Sequence, residues 1–283
     1  MRTKFLIIGD LHGNKPKIHF KDFDAIIAPG DFCSDDARPY IFKAMKLKME
    51  NPKSKIKSWI DFVGKKKARQ MIKKSMRDGR EILEQLNTYG VPIYAVPGNW
   101  DWDDKMKEKL YKYLIKGLKN VVDVYHKRIN IDGYQIIGHG YTSGPEYPQH
   151  KEELKMLKLR EKKKMKKEYN RTYTKINSLF TKSNKKPIIF ISHNVPFNTP
   201  LDMITNKQSP RYRYHFGSLI ARQMITKYKP LLCIGGHMHE HFTKYKLGKT
   251  ICINAGFGGQ VNTLLNLENG KIKSIKFYPK EYG

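Results

Sequence analysis

Seven side chains of metal-ligating type stand at or just beyond the ends of short apolar runs. Asp10 and His12 belong to Gly-Asp-Leu-His-Gly-Asn, and Asp31 to Gly-Asp-Phe-Cys-Ser. Asn99 belongs to Gly-Asn-Trp-Asp, and His237 and His239 to Gly-Gly-His-Met-His-Glu. His193 directly follows the run Ile188–Ile191. The donors are carboxylate, imidazole and one amide oxygen, without a thiolate. That mixture suits Mn, Fe, Ni or Zn better than Ca or Mg, which prefer all-oxygen shells. One tetrahedral zinc takes no more than four protein ligands. Seven ligands on five separate tips can serve two ions if one carboxylate bridges them. Two ions about 3.5–4 Å apart stabilise both the attacking and the leaving oxygen of an in-line displacement at phosphorus.

The elements that must position these side chains are visible as punctuation. Phe5–Ile8, Ala25–Ala28, Ile93–Val96, Ile136–Ile137, Ile188–Ile191 and Leu231–Ile234 each end at a Gly or polar cluster. Continuous apolar runs of this length predict strands covered on both faces. Helical patterns over Asp103–Leu118 and Gly217–Tyr228 lie between them, and strands alternating with helices predict an α/β fold. Open α/β sheets place ligands beyond the carboxyl ends of their strands, where the seven candidates fall. Three hairpins add an antiparallel component: one around Asp132-Gly133, one around Gly248-Lys249, and one turning at Asn269-Gly270.

The motif order resembles that of the calcineurin-like metallophosphoesterases: Asp-x-His, Gly-Asp, Gly-Asn-His-Asp/Glu, a later His, and Gly-His-x-His. His215-Phe216-Gly217-Ser218 and Ile191-Ser192-His193-Asn194-Val195-Pro196 resemble the archaeal and bacterial predicted-phosphoesterase branch. The resemblance runs over nearly the whole chain. It implies a four-layer αββα sandwich with two mixed β-sheets. It further implies one metal ion on Asp10, His12, Asp31 and His239, and a second on Asp31, Asn99, His193 and His237, with Asp31 bridging. The implied activity is hydrolysis of a phosphate ester by metal-activated water. A phosphodiesterase with manganese is the leading expectation. The alternatives are a nuclease and a non-catalytic metal-containing scaffold.

One position departs from the pattern. The family's Gly-Asn-His-Asp carries a His that contacts the phosphate or protonates the leaving group, and here Trp100 stands in its place. An indole N–H donates a hydrogen bond but cannot serve as a general acid. Trp100 is expected to wall the pocket or stack on a ring of the substrate. His139, in Gly-His-Gly-Tyr, is the candidate substitute acid, and Asp101 a candidate orienting carboxylate. Arg211, Arg213 and His215 form a basic run that is a candidate phosphate clamp, or simply a basic loop.

The chain has 283 residues and a formal charge of +29. Residues 43–80 carry +11 and residues 151–186 carry +10, so the remainder is close to ordinary. One domain, 1–283, with Lys-rich helical insertions at about 43–80 and 151–186 is expected. Leu154, Leu157, Glu161, Met165, Tyr169, Tyr173, Ile176 and Phe180 predict one long helix in the second. Lys outnumbers Arg 44 to 11, so any nucleic-acid contact there would be mostly to phosphates. No apolar run reaches membrane-span length, the N-terminus does not read as a signal peptide, and the three cysteines form no Cys-x-x-Cys pair. These features predict a cytoplasmic protein without disulfides.

Overall fold

The computed structural model describes residues 2–51, 54–56, 58–101, 107–131, 133–183, 186–209 and 211–280. The first sheet contains β1 (Arg2–Ile7), β2 (Ala25–Ala28), β3 (Ile93–Ala95), β4 (Val121–Asp123), β11 (Asn262–Glu268) and β12 (Lys271–Tyr278). Their spatial order is β12-β11-β1-β2-β3-β4, with β1 to β4 parallel and β11 antiparallel to β1. The second contains β5 (Arg128–Ile131), β6 (Tyr134–His139), β7 (Ile188–Asn194), β8 (Leu232–Gly236), β9 (Lys244–Leu247) and β10 (Thr250–Asn254). Its order is β5-β6-β7-β8-β10-β9, with antiparallel pairs at both edges.

Alternation along the strands sorts the apolar residues into layers. Phe5, Ile7, Ile27, Tyr94 and Val96 of the first sheet share one core with Ile136, Ile189, Ile191, Ile234 and Ile253 of the second. The opposite face of the first sheet, with Leu6, Ile8 and Ile26, packs on Ile82, Leu83, Leu86 and Tyr111. Those residues come from α3 (Lys65–Asn87) and α4 (Lys107–Ile115). On the outer face of the second sheet, Phe190 and Cys233 meet Ile176, Phe180, Ile220 and Met224. Those belong to α6 (Leu159–Thr181) and α7 (Leu219–Tyr228). The layers are therefore helix, sheet, sheet, helix, as the family resemblance implied.

Three details differ from the expectation. β7 runs to Asn194, so His193 lies inside the strand rather than after it. β4 has no counterpart in the sequence reading, because Val121–Asp123 is too short and too exposed to stand out. The long helix expected after His150 is broken into α5 (Lys151–Met156) and α6. Leu157 has extended backbone at the break, and Glu161 caps the new N-terminus by accepting from the Lys158 N–H. The first basic stretch forms most of α1 (Arg38–Glu50), α2 (Ile60–Val63) and the greater part of α3. The start of the expected Asp103–Leu118 helix and Asp132 of the first hairpin turn lie outside the described residues. Among the described residues no helix is long and apolar enough to cross a membrane. Cys233 and Cys252, distant in sequence, are register partners on β8 and β10, and all three cysteines are free and buried.

Candidate metal centre

The parallel strands of both sheets deliver the seven candidates to one place. Asp10 follows β1, Asp31 follows β2 and Asn99 follows β3, all neighbours in the first sheet. His193 near the end of β7, and His237 just after β8, arrive from the second. Two groups result, Asp10 with His12 and His239, and Asp31 with His193 and His237. Within each, one ligand atom per residue lies within 4.8 Å of the others. Asp31 Oδ2 is placed between the groups, 3.5 Å from His12 Nε2 and 3.4 Å from His193 Nε2. Asn99 Oδ1 lies 2.9 Å from His193 Nε2, and His12 Nε2 lies 3.1 Å from His239 Nε2.

The backbone around these side chains is bent to fit. Asp10, His12, Asp31 and His237 all have φ between 47° and 67°, the left-handed region that non-glycine residues rarely adopt. Such strain persists where the surrounding structure holds it. The Asp101 carboxylate supplies one hold, accepting the N–H groups of Asp31, Phe32, Cys33 and Gly98 at 2.8–3.1 Å. The Trp100 N–H donates to Asp31 Oδ1 at 2.6 Å, and the His237 N–H to Asp10 Oδ2 at 2.7 Å. Glycine is needed beside the carboxylates, because a Cβ at Gly98 would strike Asp31 Oδ1 and one at Gly236 would strike Asp10 Oδ2. α3 supports the same loop from outside through the Ser75 hydroxyl, which donates to the Ser34 carbonyl at 2.6 Å.

Electrostatically the centre is short of positive charge. Asp10 Oδ1 and Asp31 Oδ2 are buried without a hydrogen-bond partner. Such atoms are costly unless something compensates them. Burial and then the neighbouring Asp31 raise the Asp10 carboxyl to about 8, net of the opposing pull of His193. Burial alone would depress His193, but Asp31 and Asp10 carry it up to about 9. Burial would raise Asp31, yet His193, His12 and the Trp100 N–H hold it below its ordinary value. Burial leads in lowering His12 to about 4, His237 to about 3 and His239 to about 2. Three imidazoles therefore stay neutral near neutral pH, the state in which imidazole binds metal. Two buried carboxylate oxygens without hydrogen-bond partners, set among three neutral imidazoles and the proton-bearing His193, fit divalent cations, which would displace that proton and invert the local pKa logic.

Outside this ring the candidates are placed as follows. His139 is buried, its Nε2 3.0 Å from Glu146 Oε1, and it stacks on His126 at 5.7 Å. Glu146 also accepts the N–H of Leu219 at the start of α7. No contact between His139 and the seven ligands is recorded among the described residues. Arg211 Nε donates to Glu153 at 2.8 Å and packs on Phe216, while Arg213 lies over Tyr212. His215 Nδ1 sits 2.7 Å from Asp202. Trp100 lies at the centre itself, 6.2 Å from the His12 ring.

Two mouth residues went unread in the sequence. Phe257 stacks on His239 at 4.1 Å, and the Arg38 guanidinium lies 5.7 Å from the Trp100 ring and 5.9 Å from the Phe257 ring. Phe257 sits in Gly256-Phe257-Gly258 after β10, the same strand-end-and-glycine signal as the ligands, but without a ligating side chain. Arg38 carried no local signal.

The family model for calcineurin-like phosphoesterases matches residues 3–241. The chain belongs to this family. Proteins of solved structure share the architecture at low identity. One solved chain is 16% identical, with a TM-score of 0.62 over 96% of this chain and 98% of its own. TT1561 of Thermus thermophilus is 14% identical, with a TM-score of 0.50 over 96% and 98%. The phosphopantetheinyl hydrolase of Mycobacterium tuberculosis is 14% identical, with a TM-score of 0.48 over 90% and 89%. At such identities the likeness shows the fold alone. No curated protein matches. The family and the two ligand groups together support two divalent metal ions in a phosphoesterase of this fold.

Proposed function

We propose that the protein is a phosphodiesterase that works with two divalent ions, manganese first among them. The observation that supports this reading is Asp31 Oδ2, buried without a hydrogen-bond partner and facing both His12 of one three-residue ligand group and His193 of its own. Asp10, His12, His239 and Asp31 would hold one ion, and Asp31, Asn99, His193 and His237 the other. When bound, the ions would polarise the phosphoryl oxygens and make a water molecule more acidic.

The chain's own residues do the positioning. The Pro29 carbonyl lies 2.8 Å from His193 Nδ1, which fixes the N–H there and leaves Nε2 facing Asp31. Asp101 keeps the Asp31 loop in its strained form through four backbone N–H groups. Trp100 sets an indole edge-on to His12, and its N–H cannot serve as a general acid. General acid catalysis is typically worth about 10²–10⁴-fold, so its lack favours esters with a good leaving group. The basic faces of α3 and α6 lie on the outer layers, and no observation at the site favours a nuclease over a diesterase of small esters. The three buried free cysteines support a reducing, cytoplasmic setting.

The test is release of p-nitrophenol from bis(p-nitrophenyl) phosphate with Mn²⁺, against p-nitrophenyl phosphate as the monoester. Faster turnover of the diester, abolished in Asp31→Asn, is expected. No release with Mn, Fe, Ni or Zn would overturn the reading, and so would preference for the monoester.

A further inference from the structure

Helices cover only part of the outer face of the first sheet. α3 and α4 pack on Leu6, Ile8 and Ile26, but β11 and β12 at the far edge have no helix of their own. These two strands turn Leu265, Leu267 and Phe277 into the shared core. Alternation therefore turns Leu264, Asn266, Ser274 and Lys276 outward. Lys4 stands opposite Asn266, and Asn266 opposite Ser274. Directly opposite residues share a face, so these three form one polar row across β1, β11 and β12. Residues 19–22, from the connection between β1 and β2, wall this row into an open recess of about 300 Å³.

The charge of the recess is one-sided. Arg2, Lys4, Lys21 and Lys276 line it, against the single carboxylate of Asp22. Asp22 pairs with the Lys4 ammonium, yet its side chain is 78% exposed where that of Lys4 is 19% exposed. An ammonium has three donors, so Asp22 does not exhaust it. Arg2 Nε donates to Asn266 Oδ1 at 3.2 Å, which leaves the terminal guanidinium nitrogens. Glu268, opposite Arg2 on β11, is engaged by Lys273 at 2.9 Å. Lys21 and Lys276 have no ion-pair partner among the described residues. His19 stiffens the wall, its N–H donating to Asn262 Oδ1 at 2.7 Å and its ring stacked on Tyr278 at 3.5 Å. Cations gathered in a cleft focus their field on it and draw an anion. None of these residues belongs to the metal centre, and Arg2 and Lys4 stand at the opposite end of β1 from Asp10.

We propose that this recess is a second anion site, taking a small molecule that carries a phosphate or diphosphate group. Arg2, Lys4 and Lys276 contact the phosphoryl oxygens, and the Asn266 amide and the Ser274 hydroxyl complete the shell. Asp22 is the internal competitor, holding Lys4 until an anion displaces it. The recess is at the small end of ligand pockets, which suits a compact ligand. The site needs no metal ion and does not depend on the phosphodiesterase reading.

The test is isothermal titration of inorganic pyrophosphate into the full-length protein stripped of metal, so that nothing is turned over. One site is expected. Arg2→Ala and Lys276→Ala should each weaken it by about 10-fold or more, as for a lost charge-assisted hydrogen bond. Asp22→Asn should tighten it by about two- to fivefold, since it removes the one opposing charge. All three side chains are exposed, so the variants should keep the parent Tm. Lys163→Glu and Lys167→Glu on α6 should leave the affinity within about twofold. No uptake of pyrophosphate would overturn the proposal, and so would uptake that survives in both Arg2→Ala and Lys276→Ala. Weaker binding in Asp22→Asn would make Asp22 a structural support rather than a competitor and overturn its role. Equal losses in the α6 variants would show diffuse attraction to a basic surface instead of a site. Displacement of pyrophosphate by single-stranded oligo(dT) at a lower phosphate concentration would assign the recess to a nucleic-acid backbone and overturn the small-molecule reading.

Discussion

The two candidate ligand groups of the centre meet at Asp31 Oδ2 but are built differently. In the Asp31 group, His193 and Asp31 are completely buried, His193 Nδ1 is fixed by the Pro29 carbonyl, and Asp101 gathers the loop. In the Asp10 group, His12 Nδ1 has no hydrogen-bond partner, the nearest acceptor being Asp35 Oδ2 at 3.7 Å, and the roof is the exposed ring of Phe257. One half is held by hydrogen bonds before any ion arrives, and the other carries the exposed Phe257 ring. Orienting partners of metal ligands typically contribute about 10- to 100-fold in affinity. The Asp31 group should therefore fill first and release last.

Asp31→Asn breaks the comparison outright, since it removes the shared oxygen. Both ions should be lost from metal analysis and turnover should fall by about 10³-fold or more, because removing one partner from a buried charge set costs about 3–5 kcal/mol. Retention of one ion at full occupancy would show that Asp31 is not shared.

pH should act on both groups together. In the metal-free protein Asp10 is raised to about 8 and His193 to about 9, so both hold protons at neutral pH. Cation binding must expel them, and below these values each proton weakens affinity by up to about tenfold per pH unit. Mn²⁺ should bind more tightly at pH 8.5 than at pH 6.5 by isothermal titration. The sign for stability is opposite. A folded-state pKa above the unfolded value contributes stability that is lost as pH rises through the folded value. The Tm of the metal-free protein should fall between pH 6.5 and 9, and Mn²⁺ should restore it. A metal-free Tm that rises over this window would contradict the assignment of both protons.

Asp101→Asn sharpens the contrast. It weakens the cradle of the Asp31 loop directly, and reaches the Asp10 group at one remove, through the His12 N–H on the Asp31 carbonyl. Affinity for the tighter ion should drop by about 10- to 100-fold, and that for the weaker ion by much less. Two metal isotherms moving equally would argue against separate groups. At the small end, Lys163→Glu and Lys167→Glu on the exposed face of α6 should change stability by no more than about 0.5 kcal/mol by thermal melts. Diester turnover should stay within about twofold, since both side chains are exposed and salt screens exposed charges.

The ligands were legible because their information is local. A carboxylate or imidazole beside glycine at the end of an apolar run is a short-range pattern, and it locates Asp10, Asp31, Asn99 and His237 without tertiary knowledge. The α/β class followed from strands alternating with helices, and the layered sandwich from the resemblance carried by the family motifs. Contacts that cross layers were not legible. The Pro29 carbonyl against His193 joins residues 164 positions apart, and Arg38 reaches Trp100 and Phe257 from a helix start that looks ordinary in sequence. The break at Leu157 was hidden because Leu154 and Leu157 continue the apolar stripe across it. Only the backbone of Leu157 and the Glu161 cap reveal that the helix begins again.

The strand order of the first sheet also has a consequence in time. β1 lies between β2 and β11, with Phe5 opposite Leu265. A chain emerging from the ribosome in sequence order presents Asp10 and Asp31 early. His237 and His239 follow more than two hundred residues after Asp10, and the strand that closes the open edge of β1 comes later still. At the rate of about 5–20 residues per second typical of synthesis, the acidic half of the centre waits many seconds for its last imidazoles. Metal loading is thus a late event in the life of the nascent chain, and a protein halted before β8 holds carboxylates without the histidines that complete their site.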